Sequence, residues 1–376
     1  MCSSDLFYPL RSWKIERTLS QRLLRAGDSI TVTITIKRKI PFPLFYCVFE
    51  EIIPNTLWKK DLRSDQYHHL NEPNKLVRQQ KIKQIIFPWF RREFEVQYEL
   101  GQVPRGEHQL KWIQVRTGDV FGFIKKDAKF QLTNELIVSP RPRPIRINGE
   151  VTYENQGEKS IRSPFQINTN VVTGVREYVA GDKISWIDWK QTARNHVMMS
   201  KEFEQEKSSQ ALLVLNACHN ENFNAIAFEA AIELTLSIII ELENKQSAVE
   251  LLSIENSPVH FQMRDLNNQK EAIRQYLTRV QPSHLEPFSK QLVRELTTMG
   301  RQSFVMMITP HLDTSLYESI QKISKQIDKL VIIYIQSETN VLQEQLNVIQ
   351  QLESKMITTT VLTEKELVNN PIEVSI

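Results

Sequence analysis

The sequence predicts an α+β protein of more than one domain, in which an antiparallel β-sandwich precedes a doubly wound α/β unit. Two patterns predict this: short alternating strands early in the chain, and buried strands alternating with helices late in it. At 376 residues the chain exceeds the roughly 250–300 residues at which a single core stops growing. We expect a sandwich domain at 1–140, a connector at 141–209 and an α/β domain at 210–376.

The sandwich is predicted from strand patterns in the first part of the chain. Residues Ile30–Ile36 alternate apolar side chains with Thr, which places one face in a core and the other in water. Further β-rich runs, most of them separated by Pro, Gly, Asn or Asp, are Leu44–Ile53, Lys81–Phe87, Phe94–Leu100, Glu107–Val115 and Phe130–Val138. Successive strands without helices favour an immunoglobulin-like sandwich.

A proline-rich break marks the domain boundary. In Ser139–Pro144 every second residue is Pro, which fixes φ and lacks a backbone N–H, so neither a central strand nor a helix can continue there. The connector that follows is polar and irregular. It holds Trp186, Trp189 and Arg194, which argues against a slack linker.

The α/β domain is predicted from continuous apolar runs. Ala211–Asn216 has the composition of a strand buried on both faces of a parallel sheet, and Val249–Ile254, Phe304–Ile308 and Leu330–Ile335 repeat it. The intervening helical patterns are Phe223–Asn244, Asn267–Val280, Glu286–Met299, Ser315–Lys325 and Val341–Glu353. Ligands of such sheets usually bind outside the carboxyl ends of the strands.

Composition excludes several classes of protein. A net charge of +3 is too small to indicate a nucleic-acid partner, and we interpret the basic tracts Lys37–Lys39, Arg91–Arg92 and Arg141–Arg146 as solvated faces. Three cysteines without metal-ligand spacing indicate a reducing, cytoplasmic location. The longest apolar run, Phe42–Phe49, is far shorter than a membrane span, and no signal peptide opens the chain.

The densest group of motifs lies in the connector. We call it the signature segment: Gly174-Val175-Arg176-Glu177-Tyr178-Val179-Ala180-Gly181-Asp182 followed by Ile187-Asp188-Trp189-Lys190-Gln191-Thr192-Ala193-Arg194. The planar guanidinium of arginine can donate two hydrogen bonds to a carboxylate. Asp188 and Arg194 are therefore predicted to join a buried charge network with Trp189 packed beside it. The alternative, a surface that binds a partner directly, stays open.

This pattern resembles the signature of the bacterial domain-of-unknown-function family 58, which includes YeaD-like proteins. Gly101–His108 and Asp119–Phe123 resemble two flanking segments of that family, with His108 and Val120 as departures. The resemblance implies a von Willebrand factor type A-like α/β domain and a MoxR-type AAA+ ATPase as partner in chaperone-like or assembly roles. No catalytic activity is established for the family. Many members begin with a hydrophobic hairpin, so membrane association is expected if one precedes this chain.

The wider type A superfamily often binds a divalent cation through Asp-x-Ser-x-Ser after the first strand and an acidic residue after a later one. Oxygen ligands, at least one of them charged, are what such a cation needs. This chain has Asn216, Cys218 and Asn220 at the first place, and Thr309 and Pro310, followed by His311, at the second. We therefore expect no bound metal and no cofactor.

Three functional hypotheses remain. The first is a non-catalytic adaptor that contacts its partner through Asn216–Asn220 and Thr309–His311. The second is a metal-dependent ligand binder, which the missing carboxylates disfavour. The third is a thiol enzyme centred on Cys218, which is disfavoured because the adjacent His219 is badly placed as its base. No Walker A or Gly-x-Gly-x-x-Gly motif is present, so phosphate cradles are not expected.

Overall fold

A computed structural model describes residues 10–41, 43–78, 81–119, 125–148, 151–155, 158–162, 171–179, 182, 184–204, 211–220, 223–245, 249–262, 266–284, 286–339 and 343–375. Its architecture is mixed α and β, as predicted. The parts of the chain that the structure describes include no helix with both the length and the apolarity needed to cross a bilayer.

Two sheets in the N-terminal part share one hydrophobic core. The strands are β1 (Lys14–Leu19), β2 (Leu23–Arg25), β3 (Ile30–Lys37), β4 (Tyr46–Ile52), β5 (Lys81–Ile86), β6 (Glu93–Leu100), β7 (Gly106–Gly118) and β8 (Lys125–Ser139). One sheet has the order β1-β3-β6 and the other β2-β8-β7-β4-β5. Every pairing in them is antiparallel except β2 with β8. The alternation predicted at Ile30–Ile36 is confirmed, with its apolar side chains buried.

A buried ion pair lies between these sheets. Arg17 on β1 donates through Nη2 to Glu51 Oε1 at 2.7 Å, and both side chains are fully buried. Its Nη1 donates to the Leu110 carbonyl at 2.8 Å and the Leu132 carbonyl at 2.7 Å. Burial raises the pKa of Glu51 to about 7, although the charge of Arg17 opposes the shift. The alternation of apolar residues in the predicted strands does not indicate a buried ion pair between Arg17 and Glu51.

The chain between β4 and β5 leaves the sandwich. It forms three 3-10 turns, Asn55–Leu57, Arg63–His69 and Pro73–Lys75. We call residues 55–76 the excursion. Its Tyr67, Leu70 and Leu76 belong to the hydrophobic core of the C-terminal part instead of that of the sandwich. The sequence analysis predicts only strands in this part of the chain and does not predict the excursion.

The C-terminal part is a six-stranded sheet with helices on both faces. Its strands are β14 (Ala211–Asn216), β15 (Val249–Ile254), β16 (Val259–Gln262), β17 (Gln302–Thr309), β18 (Ile327–Ile335) and β19 (Thr358–Leu362). The order is β16-β15-β14-β17-β18-β19, and only β16 runs antiparallel. The buried strands predicted from apolar runs are confirmed.

Six helices accompany this sheet in the described chain: α2 (Ala225–Asn244), α3 (Leu266–Arg279), α4 (Phe288–Met299), α5 (Thr314–Ile323), α6 (Gln343–Ser354) and α7 (Glu364–Val368). Helices α2, α3 and α7 share one core cluster with alternate side chains of the strands, and α4, α5 and α6 share another. Strands β14, β15, β17 and β18 therefore bury both of their faces, which is why their sequences are mostly apolar.

The connector contains more regular structure than its polar sequence indicated. Strands β10 (Val151–Asn155) and β11 (Glu158–Arg162) pair with each other, as do β12 (Val171–Glu177) and β13 (Met199–Glu204). A short helix, α1 (Trp189–Asn195), precedes β13. Strand β9 (Ile145–Asn148) pairs in parallel with β20 (Ile372–Ser375). Short strands without apolar alternation give little sequence signal.

Candidate functional site

The carboxyl edge of the α/β sheet has its topological switch point between β14 and β17. Asn216 and Thr309 end these neighbouring strands, and Asn216 Nδ2 donates to Thr309 Oγ1 at 2.9 Å. Asn216 Oδ1 accepts from the Cys218 backbone N at 3.0 Å, and Thr309 Oγ1 donates to the His311 carbonyl at 2.5 Å. Both side chains are buried, so they fix the two turns and are not available to an external partner.

A cavity of about 70 Å³ opens beside this pair. Its lining includes Cys218, His219, Asn220, His311 and Asp313. His219 stacks on Phe223 with ring centroids 4.3 Å apart. Among the described residues, the Asn220 Nδ2 atom is buried without a hydrogen-bond partner. Pro310 lies half-buried in the turn after β17.

Asp313 is a carboxylate that the sequence analysis missed. It caps the N-terminus of α5, accepting from Leu316 N at 2.7 Å, and its Oδ2 lies 3.3 Å from His311 Nε2. Burial would raise the pKa of Asp313, but hydrogen bonds from His311, Leu316 N and Ser315 outweigh that effect and lower it to about 2. An Asp directly before Thr314-Ser315 is a helix-start signal that could have located it. The sequence analysis considered only Thr309, Pro310 and His311 after β17, and none of these is a carboxylate, so it did not include Asp313.

The thiol of Cys218 is buried against the sheet. Its Sγ donates to the Ile254 carbonyl at 3.5 Å. Burial raises the pKa of this thiol to about 12, and the negative charges of Glu255 and Glu286 add to the shift. At neutral pH the group is a protonated thiol, which is a weak nucleophile.

We expect Mg²⁺ and Mn²⁺ to leave the thermal unfolding midpoint of the protein unchanged. A ligand stabilises only in proportion to its affinity for the native state. In the described part of the chain, no group of three or more His, Cys, Asp or Glu side chains is arranged to hold a metal. Differential scanning fluorimetry at millimolar metal and in EDTA measures this. A clear rise in the midpoint with metal, absent in EDTA, would contradict it.

The signature segment divides into a scaffold, which includes Arg176, Asp182 and Asp188, and an exposed face, which includes Trp189, Lys190, Ala193 and Arg194. Gly174 lies where the β12–β13 ladder shifts register. Arg176 pairs with Asp182 at 2.7 Å, and this hydrogen bond, with one from Val179 N, lowers the pKa of Asp182. The carbonyl of Glu177 accepts from Arg176 Nη1 at 3.1 Å.

Further hydrogen bonds hold the segments on either side of α1 together and cap its N-terminus. Tyr178 N donates to the Met198 carbonyl at 2.8 Å, and the buried Ile187 forms a bridge with Ser200. Asp188 caps the helix, accepting from Lys190 N at 3.0 Å and Gln191 N at 3.1 Å. Gly181, and residues 120–123 of the flanking Asp119–Phe123 segment, lie outside the described residues.

The predicted buried network of Asp188, Arg194 and Trp189 is wrong. Trp189 is 65% exposed, and Arg194 is exposed without an ion pair among the described residues. Lys190 and Ala193 are both exposed, and they lie on the same face of α1 because residues three apart are neighbours on a helix surface. Asp188 is used by the helix cap, so its carboxylate serves backbone donors instead of Arg194.

Arg105, in the Gly101–His108 segment, joins the two parts of the protein. Its Nε and Nη2 donate to the Glu229 carboxylate on α2 at 2.8 Å and 3.0 Å. Its Nη1 donates to the carbonyls of Leu277, Thr278 and Val280 at 2.6, 3.0 and 3.0 Å. These carbonyls belong to the end of α3, where helical partners are lacking. One buried guanidinium therefore pairs with one helix and caps another.

Arg143 makes a second connection across this interface. Its Nη1 donates to the Leu367 carbonyl at 2.5 Å and lies 3.4 Å from Glu233 Oε1. Tyr67 of the excursion donates to Glu233 Oε2 at 2.9 Å. Arg38 is buried as well. The interpretation of the basic tracts as solvated faces is therefore wrong for Arg38 and Arg143.

A cavity of about 260 Å³ lies between the excursion, the start of β7 and the C-terminal part. Its lining includes Asp61, Arg105, His108, Phe228 and Glu229. His108 Nε2 lies 2.8 Å from the Pro104 carbonyl, whereas Nδ1 is buried without a partner among the described residues.

We expect the protein to lose stability as pH rises from about 6.5 to about 8. Burial raises the pKa values of Asp61 and Glu233 to about 7, above their unfolded values, although Arg143 opposes the shift of Glu233. The native state therefore binds more protons, and this stabilisation is lost as pH rises through the folded pKa. Burial lowers the pKa of His108, whose stabilisation falls only below about pH 6.5, outside this window. Urea unfolding midpoints across the window measure the slope. The double variant Asp61→Asn and Glu233→Gln should reduce the slope without abolishing it, because the pKa of Glu51 is raised to about 7 as well. A slope equal to that of the parent would exclude Asp61 and Glu233 as contributors.

Comparisons with known proteins agree with the signature. The profile of the family described as "Protein of unknown function DUF58" matches residues 174–369. The "Uncharacterized protein YeaD" of Bacillus subtilis (strain 168) is 31% identical over 306 residues, which cover 81% of this chain and 72% of that protein.

Solved structures give weaker matches. The PilB minor pilin from Streptococcus sanguinis aligns at a TM-score of 0.31 and 9% identity over 85% of this chain and 84% of that chain. The sporulation control protein Spo0M from Bacillus subtilis aligns at a TM-score of 0.15 and 11% identity over 34% of this chain and 49% of that chain. Scores this low carry no argument about fold or function. The signature segment, the profile match and the relationship to YeaD together establish that this chain belongs to the DUF58 family.

Proposed function

We propose that this protein is a non-catalytic adaptor that binds a MoxR-type AAA+ ATPase through the exposed face of its signature segment. The observation that carries the proposal is the exposure of Trp189 and of Ile184, which precedes it by five residues and is 75% exposed. Residues that carry the family signature are thus presented to solvent, whereas the scaffold beneath them is held by the Arg176–Asp182 pair and the Asp188 cap.

The chemistry of this face suits a protein partner. Buried tryptophan and arginine anchors dominate the binding energy of many protein interfaces. Trp189 and Arg194 are exposed together here, and Val179, Val197 and Met198 add exposed apolar area. An exposed apolar patch with polar neighbours is typical of an interaction site. The buried Asn216–Thr309 pair makes the carboxyl edge of the sheet less suitable than expected from sequence.

Two further parts of the proposal concern the domains. We propose that the α/β part is von Willebrand factor type A-like, and its parallel sheet with one antiparallel edge strand and helices on both faces supports this. We propose that the sandwich is immunoglobulin-like, supported by two facing sheets around one core. The protonated state of the Cys218 thiol supports an absence of thiol catalysis.

Co-purification with the ATPase tests the proposal. Trp189→Ala and Arg194→Glu should each weaken association by about tenfold or more, since loss of an interface anchor costs at least ~1.4 kcal/mol. Trp112→Ala and Arg301→Glu are matched controls, because they change an exposed tryptophan and an exposed arginine elsewhere. Failure of the parent to associate in any nucleotide state would refute the adaptor. Association lost only in EDTA would favour the metal-dependent binder.

Arg194→Ala should change the free energy of unfolding by no more than about 0.5 kcal/mol, which is usual for a surface substitution. The reason is that its guanidinium is exposed and has no ion pair in the described part of the chain. Urea unfolding of the variant and the parent measures the difference. A loss of several kcal/mol would restore the structural role predicted from sequence.

A further inference from the structure

We propose that one end of the β-sandwich binds the surface of an anionic lipid bilayer. The residues concerned lie in two adjacent loops, one between β3 and β4 and the other between β5 and β6. We call this surface the aromatic end, and its members are Ile40, Phe87, Trp89, Phe90, Lys39, Arg91 and Arg92.

The apolar members of the aromatic end are exposed. The exposed fractions are 55% for Ile40, 63% for Phe87, 54% for Trp89 and 63% for Phe90. The two loops form one surface, because Leu44 and Trp89 exchange backbone hydrogen bonds of 3.0 Å in both directions. A contiguous exposed patch of this kind marks a surface that is covered when the protein works.

Hydrogen bonds from Arg38 fix the turn that presents these side chains. The buried Arg38 donates through Nε to the Arg91 carbonyl at 2.6 Å and through Nη2 to the Trp89 carbonyl at 2.5 Å. Trp89 itself has φ of 50°, in the left-handed region that is unfavourable for a bulky residue. Strain of this kind persists only where its surroundings enforce it, and it concentrates at functional positions. Arg38 enforces an arrangement that keeps the aromatic rings in solvent.

The charge around the rings favours an anionic bilayer over a protein partner. Residues 37–45 and 87–93 carry five basic side chains and one acidic side chain, Glu93. Glu93 pairs with Lys37 at 2.8 Å, whereas Lys39, Arg91 and Arg92 are exposed. Aromatic rings with a basic rim suit the boundary between lipid headgroups and acyl chains. Basic side chains near anionic lipids add an electrostatic attraction that falls with salt.

Among the described residues, the α/β part leaves the aromatic end uncovered. The α/β part contacts the sandwich beside Arg105, directly before the first residue of β7, Gly106. The last residue of β7, Gly118, pairs with Tyr46, two residues from Leu44. Twelve residue steps of a strand span roughly 40 Å. The aromatic end and the α/β part therefore lie at opposite ends of the β7–β8 hairpin.

Vesicle sedimentation with the full chain tests this inference. The parent should sediment with vesicles of equal parts phosphatidylglycerol and phosphatidylcholine, and much less with phosphatidylcholine alone. Phe87→Ser with Phe90→Ser should reduce the partition coefficient about tenfold or more, since two rings no longer enter the interface. Arg91→Glu with Arg92→Glu should abolish the preference for anionic vesicles. The control, Leu346→Ser with Met356→Ser, removes exposed apolar side chains from the α/β part and should sediment like the parent.

Three outcomes would overturn the inference. The first is sedimentation of the Phe87→Ser and Phe90→Ser variant equal to that of the parent, and the second is equal binding of the parent to neutral and anionic vesicles. The third is a lipid-free dimer that this variant converts to monomer, which would show that a second copy covers the patch. If the double serine variant does not fold, the Arg91→Glu and Arg92→Glu variant decides alone.

Discussion

Replacing Arg17 by Met should lower the free energy of unfolding by about 3–5 kcal/mol, the usual cost of removing one partner of a buried ion pair. The substitution leaves Glu51 fully buried without its cation, and the Leu110 and Leu132 carbonyls lose a donor. Because the pKa of Glu51 is already raised to about 7, protonation should relieve part of the loss. The deficit, measured by urea unfolding, should therefore be larger at about pH 8 than at about pH 5.

A second substitution separates the ion pair from packing. Adding Glu51→Leu to Arg17→Met should recover much of the stability, since an apolar pair of similar volume often replaces a buried ion pair without loss. Lys14→Met is the matched control, because Lys14 pairs with Glu16 at the surface and should cost about 0–1 kcal/mol. If the double variant were as unstable as the sum of the two single variants, the charge pairing would not be the source of the effect.

Arg105→Met should also cost about 3–5 kcal/mol, but its loss should appear at the interface between the two parts. The substitution removes both hydrogen bonds to Glu229 and leaves the carbonyls of Leu277, Thr278 and Val280 without their shared donor. The rate of amide hydrogen exchange should increase more at the C-terminal turn of α3 than elsewhere in the protein. Urea unfolding should show a lower midpoint or a separate transition for the two parts.

Arg279→Met provides the comparison for this prediction. Arg279 lies at the end of the same helix and pairs across the same interface with Glu107 at 2.6 Å, but both side chains are exposed. It should cost about 0–1 kcal/mol. Equal losses for the two variants would mean that burial of Arg105 does not determine its contribution.

The hydrophobic pattern was sufficient to predict the main strands and helices. Runs such as Ala211–Asn216 are buried on both faces, and Ile30–Ile36 on one, so their periodicity reports their environment directly. The excursion was missed because 3-10 turns have no such period. The division of the chain into 1–140, 141–209 and 210–376 stays a prediction.

Charged residues were predicted less well, because burial of a charge depends on partners distant in sequence. Arg17 and Glu51 are 34 residues apart, and Arg105 and Glu229 are 124 apart. The sequence predicts a buried network for Arg194 only because Asp188 is near it in the chain. The structure uses that carboxylate for the helix cap, which is a local role that the motif Asp-Trp-Lys also predicts.

The position of the excursion in the chain delays its packing while the protein is being synthesised. Tyr67, Leu70 and Leu76 complete a core whose other wall includes α2, at residues 225–244, so the ribosome makes the two walls about 150 residues apart. At about 5–20 residues per second, the apolar side chains of the excursion wait roughly 8–30 seconds for their partner helix. The sandwich can close around its own core during that interval, whereas the excursion must remain available. A nascent chain paused before α2 should therefore expose Tyr67 and Leu70 to chaperones.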